Sequence, residues 1–147
     1  MEKEVKKQLK KHLRGVGGST IENLVKRLGG LPYERVLMTT DIGATLAATN
    51  LRAGVEMLKA APEVARLIDA GDTRVWGEIG KRLSATSTES AITFFHSSAA
   101  VLEAIPEEMR SPVLRLVNKQ AALSANTALE SFRSAPGIIN TIMHAIR

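Results

Sequence analysis

Apolar positions along the chain recur at a fixed spacing of 37 residues. When residues 76–106 are moved by 37 positions in either direction, apolar side chains fall on apolar side chains. Five columns carry this match: Ile42, Ile79 and Leu116; Val55, Ile92 and Leu129; Leu58, Phe95 and Phe132; Val64, Val101 and Ile138; and Ile68, Ile105 and Ile142. A period of this length predicts a stacked helical array, in which each unit buries its apolar face against its neighbours.

The period divides residues 37–147 into three units, 37–73, 74–110 and 111–147, and each unit is predicted to hold three helices. The first helices are expected at 37–48, 74–85 and 111–122, with Pro112 at a helix start. The second helices are expected to follow three N-cap residues: Asn50, Ser87 and Ser124. The third are expected to open near Pro62, Ala99 and Pro136.

A column of small residues accompanies the second helices: Gly54, Ala91 and Ala128. Small side chains let neighbouring helices approach closely, so this column predicts tight crossings. The fold class we expect is all-α. It is a short α-solenoid of the HEAT or armadillo kind, with three three-helix repeats preceded by a basic helical hairpin at residues 1–36.

The N-terminal arm carries the net charge of +5. Residues 1–30 hold eight Lys or Arg against three Glu, whereas the other 117 residues balance at twelve against twelve. Apolar residues at three-to-four spacing predict a basic amphipathic helix: Val5, Leu9, Leu13 and Val16. The run Ser19-Thr20-Ile21-Glu22 has the capping-box pattern and predicts a second helix, which Gly29-Gly30 ends. Only this arm argues for an anionic partner.

Residues 13–30, LRGVGGSTIENLVKRLGG, resemble the helix-hairpin-helix motif of many DNA-repair and recombination proteins. Leu13 and Leu24 match its apolar positions and Gly15-Val16-Gly17 its turn, whereas Ile21 stands where the family usually has alanine. In that family the turn amides and the second helix's N-terminus hold a DNA phosphate. The resemblance implies a phosphate-binding or DNA-binding set: Lys7, Lys10, Lys11, Gly15, Gly17, Gly18 and Lys26. The alternative is a basic cap that solubilises the first end of the array.

Lys59, His96 and Arg133 occupy the same position in the three units. One interpretation is a ladder of cationic or titratable residues that binds an acidic partner surface. The other is that each residue lies in the last turn of its helix, where a cation complements the helix dipole.

The last unit ends in an apolar edge that no following repeat covers: Ile138, Ile139, Ile142 and Met143. An exposed edge of this kind predicts another protein, self-association or a continuation of the array. The leading functional hypothesis is therefore a non-enzymatic helical-repeat scaffold for protein–protein interaction. The alternative is a DNA-associated protein that binds through residues 1–30.

A longer pattern runs through the second and third units: Trp76, Gly80, Leu83, Ser87, Ala91, Phe94-Phe95, Val101-Leu102 and the run KQAALSANTALESFRSAPGII. With this pattern, residues 36–147 resemble the helical repeats of some large bacterial proteins that carry a von Willebrand A domain. Members of that group work beside AAA+ ATPases in maturing or remodelling metalloenzymes and other complexes. The Asp-x-Ser-x-Ser string of the von Willebrand A metal site does not occur in the chain, so the resemblance implies the repeat part without metal binding.

Composition argues against disulfide-bonded, secreted and membrane-spanning proteins. The chain has no cysteine, which removes disulfides and thiolate ligands and is typical of a reducing cytoplasm. The charged start MEKEVKKQLKKHLR is not a secretory signal, and no apolar run is long enough for a membrane span. We therefore expect a cytoplasmic chain.

The sequence also lacks the motifs expected of catalytic and metal-binding sites. His12, His96 and His144 lack the spacing of a ligand cluster, and no serine lies in a G-x-S-x-G elbow. The run Asp41-Ile42-Gly43-Ala44-Thr45 looks like the phosphate-binding signature of sugar kinases, but the 37-residue period puts it inside a helix. We expect no enzymatic activity, cofactor, metal or small-molecule substrate.

Overall fold

The computed structural model describes residues 2–146, which form eight α-helices. They are α1 Glu2–His12, α2 Gly18–Leu28, α3 Tyr33–Thr49, α4 Leu51–Val64, α5 Ala70–Thr86, α6 Thr88–Glu103, α7 Glu107–Ala121 and α8 Ala125–Ala145. No residue in this range lies in a β-strand, so the all-α prediction is confirmed. Within the same range, no helix has the length and apolar character needed to cross a membrane.

The helices α4, α6 and α8 begin at the predicted cap residues. The side-chain oxygens of Asn50, Ser87 and Ser124 each accept a hydrogen bond from the backbone N–H three residues later, at 3.1, 3.1 and 3.3 Å. Each bond satisfies one of the amides that have no partner in a helix's first turn. The three starts, at 51, 88 and 125, keep the 37-residue spacing.

Each 37-residue stretch contains two helices, so the prediction of three is wrong. Pro62, Ala99 and Pro136 lie inside α4, α6 and α8 and start no new helix. A proline removes one N–H donor and crowds the preceding turn, but it does not end a helix whose apolar face stays in phase. On α4 that face stays fully buried up to Val64, two residues past the proline. Its burial offsets the lost hydrogen bond.

The helices α3, α5 and α7 begin four residues before their predicted starts. Asp69 caps α5, since its carboxylate accepts a hydrogen bond from the Asp72 amide at 2.8 Å. Pro32 and Pro106 occupy the N-cap positions of α3 and α7. Pro112, expected at a helix start, therefore lies inside α7.

The eight helices form two layers. In one layer α1, α3, α5 and α7 contact each other in order, and in the other α2, α4, α6 and α8 do the same. Successive helices also contact each other across the layers, as in α3 with α4 and α7 with α8. One continuous apolar core runs between the layers from Val5 to Ala135. The basic hairpin α1–α2 therefore lies at one end of this core and α7–α8 at the other.

Aromatic side chains fill the middle of the core. Trp76 meets Phe95 edge to face, with ring centroids 5.1 Å apart, and its indole N–H donates to the Ser98 hydroxyl at 2.8 Å. Phe94 lies 4.7 Å from Phe132 across the α6–α8 contact. All four aromatic rings are buried, and their contacts join α5, α6 and α8.

Two arginine side chains form hydrogen bonds with backbone carbonyls near the ends of α4 and α6. Arg35 donates to two carbonyl oxygens just after α4, at 2.6 and 2.7 Å. Arg110 donates to the carbonyl of Leu102 at 2.7 Å and to that of Leu67 at 3.0 Å, so it bridges two successive turns. Carbonyls at a helix C-terminus have no partner within the helix and carry partial negative charge, so a guanidinium stabilises them.

Candidate functional site

The hairpin turn between α1 and α2 is open on its outer side. Gly15 has φ of +85°, a left-handed conformation that favours glycine. A methyl group on Gly15, Gly17 or Gly18 would meet no atom within 4 Å, and all three residues are exposed. The three glycines of the turn are therefore accessible from solvent.

The capping box expected at residues 19–22 does not form. The helix α2 starts at Gly18 with Gly17 as its N-cap, and no side chain caps it. The amides of Thr20 and Ile21 already bond to the Gly17 carbonyl, which places Ser19 inside the first turn. Glu22 is consequently free to form an ion pair with Lys6 on α1, which ties the two helices together.

Neighbouring helices hold the hairpin in place. Leu13, Ile21 and Leu24 are all buried, and α1 contacts α3 while α2 contacts α4. The lysines of the expected phosphate-binding set stay exposed: Lys7, Lys10, Lys11 and Lys26. The hairpin α1–α2 is therefore packed against α3 and α4 while its lysine side chains remain exposed.

The Glu22–Lys6 pair gives a prediction about titration. The hydrogen bond and charge of Lys6, with smaller effects of Lys10 and Lys26, lower the pKa of Glu22 below its ordinary value. A lowered pKa in the folded state contributes stability that is present above the unfolded-state pKa and lost as pH falls through the folded-state pKa. We expect an NMR titration to show the Glu22 pKa rising in Lys6→Met and staying unchanged in Lys3→Met. Equal pKa values in both variants would contradict the pairing.

Two members of the predicted ladder meet at one carboxylate. Glu56 on α4 lies 3.7 Å from the Lys59 ammonium and 2.5 Å from Nε2 of His96 on α6. Lys59 and His96 line a shallow groove between α4 and α6 with Phe95, Glu63 and two alanines. The structure does not bring Arg133 to this carboxylate; it is exposed on α8.

The helix-dipole interpretation of the ladder is wrong. Because α4, α6 and α8 run on to residues 64, 103 and 145, Lys59, His96 and Arg133 lie in helix interiors and not in last turns. Partial negative charge from the backbone is concentrated in the final turn and does not reach them. Within residues 2–146, Glu56 in this groove instead lies between Lys59 and His96, two of the three ladder residues.

Several large apolar side chains are exposed on α7, on α8 and in the turn between them. We call this surface the C-terminal face, defined by Leu116, Leu123, Ile138, Ile142 and Met143. Six of the nine large hydrophobic residues exposed in the described chain lie between 116 and 146, including these five. Exposed apolar residues are therefore concentrated at one end of the molecule, which marks a candidate binding surface.

Residues 37 positions apart differ in how much of their side chain is exposed. Val64, Val101 and Ile138 are 0%, 8% and 55% exposed. Ile79 is fully buried, whereas Leu116, its equivalent one unit later, is 55% exposed. Three residues of the C-terminal face, Leu116, Ile138 and Ile142, thus stand at positions whose equivalents 37 residues earlier are buried. Of the predicted edge residues, Ile138, Ile142 and Met143 are exposed and Ile139 is half-buried.

Sequence reasoning missed the length of α8. This helix has 21 residues, against 14 in α4 and 16 in α6, and none of its residues after Ala135 is fully buried up to residue 146. One set of positions 37 residues apart indicated that α8 continues where α4 and α6 end. Asp69 and Pro106 are N-cap residues that start α5 and α7, but their equivalent is Met143, which cannot cap. Leu116 and Leu123 were also absent from the predicted edge.

The histidines and carboxylates do not converge on a metal site. Among residues 2–146 no group of three or more His, Asp or Glu side chains is arranged to hold a metal ion, and the chain has no cysteine.

A scan against protein-family models and searches of curated proteins and of solved structures returned no match to this chain.

Proposed function

We propose that this chain is a non-enzymatic helical-repeat scaffold that binds another protein through its C-terminal face. In this proposal residues 33–145 form a short α-solenoid of three two-helix units, with α1–α2 as the cap of its first end. The observation that carries it is the exposure of Ile138 and Leu116, whose equivalents 37 residues earlier, Val101 and Ile79, are buried. A surface with the composition of an internal interface is stabilised when a partner covers it.

The resemblance to the repeats of bacterial von Willebrand A domain proteins fits the same proposal. Those repeats belong to proteins that act within larger assemblies, and a scaffold without chemistry of its own suits that role. The absence of cysteine supports a cytoplasmic setting.

Site-specific photocrosslinking in cells tests the scaffold. A photoreactive amino acid at Ile138 should yield an adduct of discrete mass with a partner, since its side chain lies on the C-terminal face. The same group at Asn126, an exposed residue about three turns nearer the start of α8 and about 120° around the helix from Ile138, should yield none. Equal adducts at both positions, or none at either, would contradict the proposal.

A dye-binding measurement complements that experiment. At a protein concentration low enough for the wild type to be monomeric, we expect the double variant Ile138→Lys/Ile142→Lys to bind severalfold less anilinonaphthalene sulfonate than the wild type, because it places charge on the apolar surface. The matched control Asn126→Lys/His144→Lys adds two lysines to exposed positions on the other side of α8 and should bind as the wild type does. A wild-type monomer that binds no dye would show that no apolar surface is available.

A second candidate function is binding of the DNA phosphate backbone by the basic hairpin. The specific observation in its favour is the open turn, whose exposed glycines adjoin exposed Lys10 and Lys11. Such binding would be tolerant of sequence, since phosphate contacts position a protein without reading bases.

A salt titration with labelled duplex tests this candidate. Deleting the arm is unsuitable because Val5, Leu9 and Leu24 belong to the core, so the full chain is used with Lys7→Gln/Lys10→Gln/Lys11→Gln. The plot of log K against log salt should become shallower by about 0.9 for each lysine lost. The control Lys81→Gln/Arg115→Gln/Lys119→Gln removes the same charge elsewhere and should keep the wild-type slope. No binding by the wild type at low salt would exclude this function.

A further inference from the structure

We infer that the occupant of the C-terminal face is a second copy of this chain, bound tail to tail about a two-fold axis. This inference rests on the proposed function, because it names the partner of the same surface. A two-fold interface requires that one surface complement itself. The C-terminal face does so in composition, since it combines Leu116 of α7 and Leu123 of the α7–α8 turn with Ile138 and Ile142 of α8.

The two ends of the molecule differ in charge, and this difference selects the geometry. The exposed side of α1 at the opposite end carries Lys3, Lys7, Lys10 and Lys11. A head-to-tail contact would place these ammonium groups against Ile138 and its apolar neighbours, and burying an unpaired charge is strongly unfavourable. A tail-to-tail contact places apolar groups on apolar groups. Stacking in the head-to-tail sense, which would continue into a filament, is therefore disfavoured.

The charges on α7 support the same pairing. Its first turn carries Glu107 and Glu108, and its last turn carries Lys119, all exposed. When a two-fold axis runs perpendicular to this helix, the α7 helices of the two copies are antiparallel. Each Lys119 then faces the acidic first turn of the other copy, which adds electrostatic complementarity at the rim of the apolar contact.

Light scattering and sedimentation over a range of concentrations test the stoichiometry. We expect the wild-type chain to form a dimer, and Ile138→Lys/Ile142→Lys to raise its dissociation constant about 100-fold or more, because four lysines would then enter the contact. Asn126→Lys/His144→Lys should leave the constant unchanged. Circular dichroism establishes that each variant keeps its helices.

Single-cysteine crosslinking tests the geometry, and the absence of native cysteine makes it unambiguous. With a short bis-maleimide, Thr141→Cys on α8 and Leu123→Cys beside α7 report on the tail-to-tail contact, and Lys7→Cys reports on the basic end. We expect at least one of the first two to yield a covalent dimer and the third to yield none. A mixture of Lys7→Cys with Thr141→Cys or Leu123→Cys that crosslinks only between unlike chains would establish head-to-tail contact and overturn the inference.

The two proposals fail in different ways. A wild-type monomer at every concentration would overturn the tail-to-tail dimer. If that monomer binds the dye and Ile138→Lys/Ile142→Lys does not, the C-terminal face is free and the scaffold proposal stands with a different protein as its partner. A monomer without dye binding would overturn both.

Discussion

Replacing Phe94 with alanine is expected to lower the free energy of unfolding by about 3 to 5 kcal/mol. The ring is fully buried and contacts Phe95 and Phe132, with centroids 5.5 and 4.7 Å away. Truncation would remove its transfer free energy, leave a cavity between α6 and α8, and break two aromatic contacts worth about 0.5 to 1.5 kcal/mol each. For a domain with a total stability of about 5 to 15 kcal/mol, this is a large fraction.

Chemical denaturation monitored by circular dichroism measures this loss. Tyr33→Ala is the matched control, since Tyr33 is an aromatic residue of similar size that is 71% exposed at the start of α3. Its removal should change stability by no more than about 0.5 kcal/mol. A similar loss in both variants would mean that the Phe94 ring does not join α6 to α8 as described.

Replacing Gly54 with alanine is expected to destabilise the protein by about 2 kcal/mol, although alanine is the better helix former. A Cβ at this position would lie 2.5 Å from the backbone N and Cα of Ala47 on α3. Backbone atoms cannot rotate away, so α3 and α4 would have to separate. Overpacking of this kind costs about 3 kcal/mol, and the gain in helix propensity returns about 1 kcal/mol.

Gly137 provides a control of opposite sign. It also lies inside a helix, but a Cβ there would meet no atom within 4 Å. Gly137→Ala should therefore stabilise the protein by up to about 1 kcal/mol. Thermal or chemical denaturation of both variants measures the two changes in stability. Stabilisation by Gly54→Ala would show that α3 and α4 do not cross closely at this point.

Short-range patterns predicted much of the fold. The caps Asn50, Ser87 and Ser124 were predicted because a side chain that bonds an amide three residues away needs only its neighbours. The small-residue column was predicted for a similar reason, and Gly54 lies against Ala47 at the crossing it indicated. Local sequence contains the information for both features.

The number of helices in each unit could not be predicted in that way. The local preference of Pro62 and Pro136 favours a helix boundary, but tertiary burial of the apolar face on α4 outweighs it. The partners of Glu22 and Arg110 were hidden for a related reason. Their contacts join residues 16 and 43 positions apart, and only the packing of the layers brings them together.

The candidate surfaces were predicted in part. Residue type and period indicated the apolar edge at Ile138 and Ile142, but Leu116 and Leu123 joined it only when α7 was placed beside α8. The ladder could not be assigned from sequence, because its interpretation depended on where each helix ends. Without the helix ends, Lys59 could not be distinguished from a last-turn cation.

The buried position of Trp76 gives the protein an internal optical probe. It is the single tryptophan of the chain, and it lies against Phe95 where α5 and α6 meet. Its fluorescence therefore reports on solvent entry into the middle of the core, whereas circular dichroism reports on all eight helices. Because the core is continuous, the two signals should change at the same denaturant concentration. Separated midpoints would reveal that the ends of the molecule unfold before its centre.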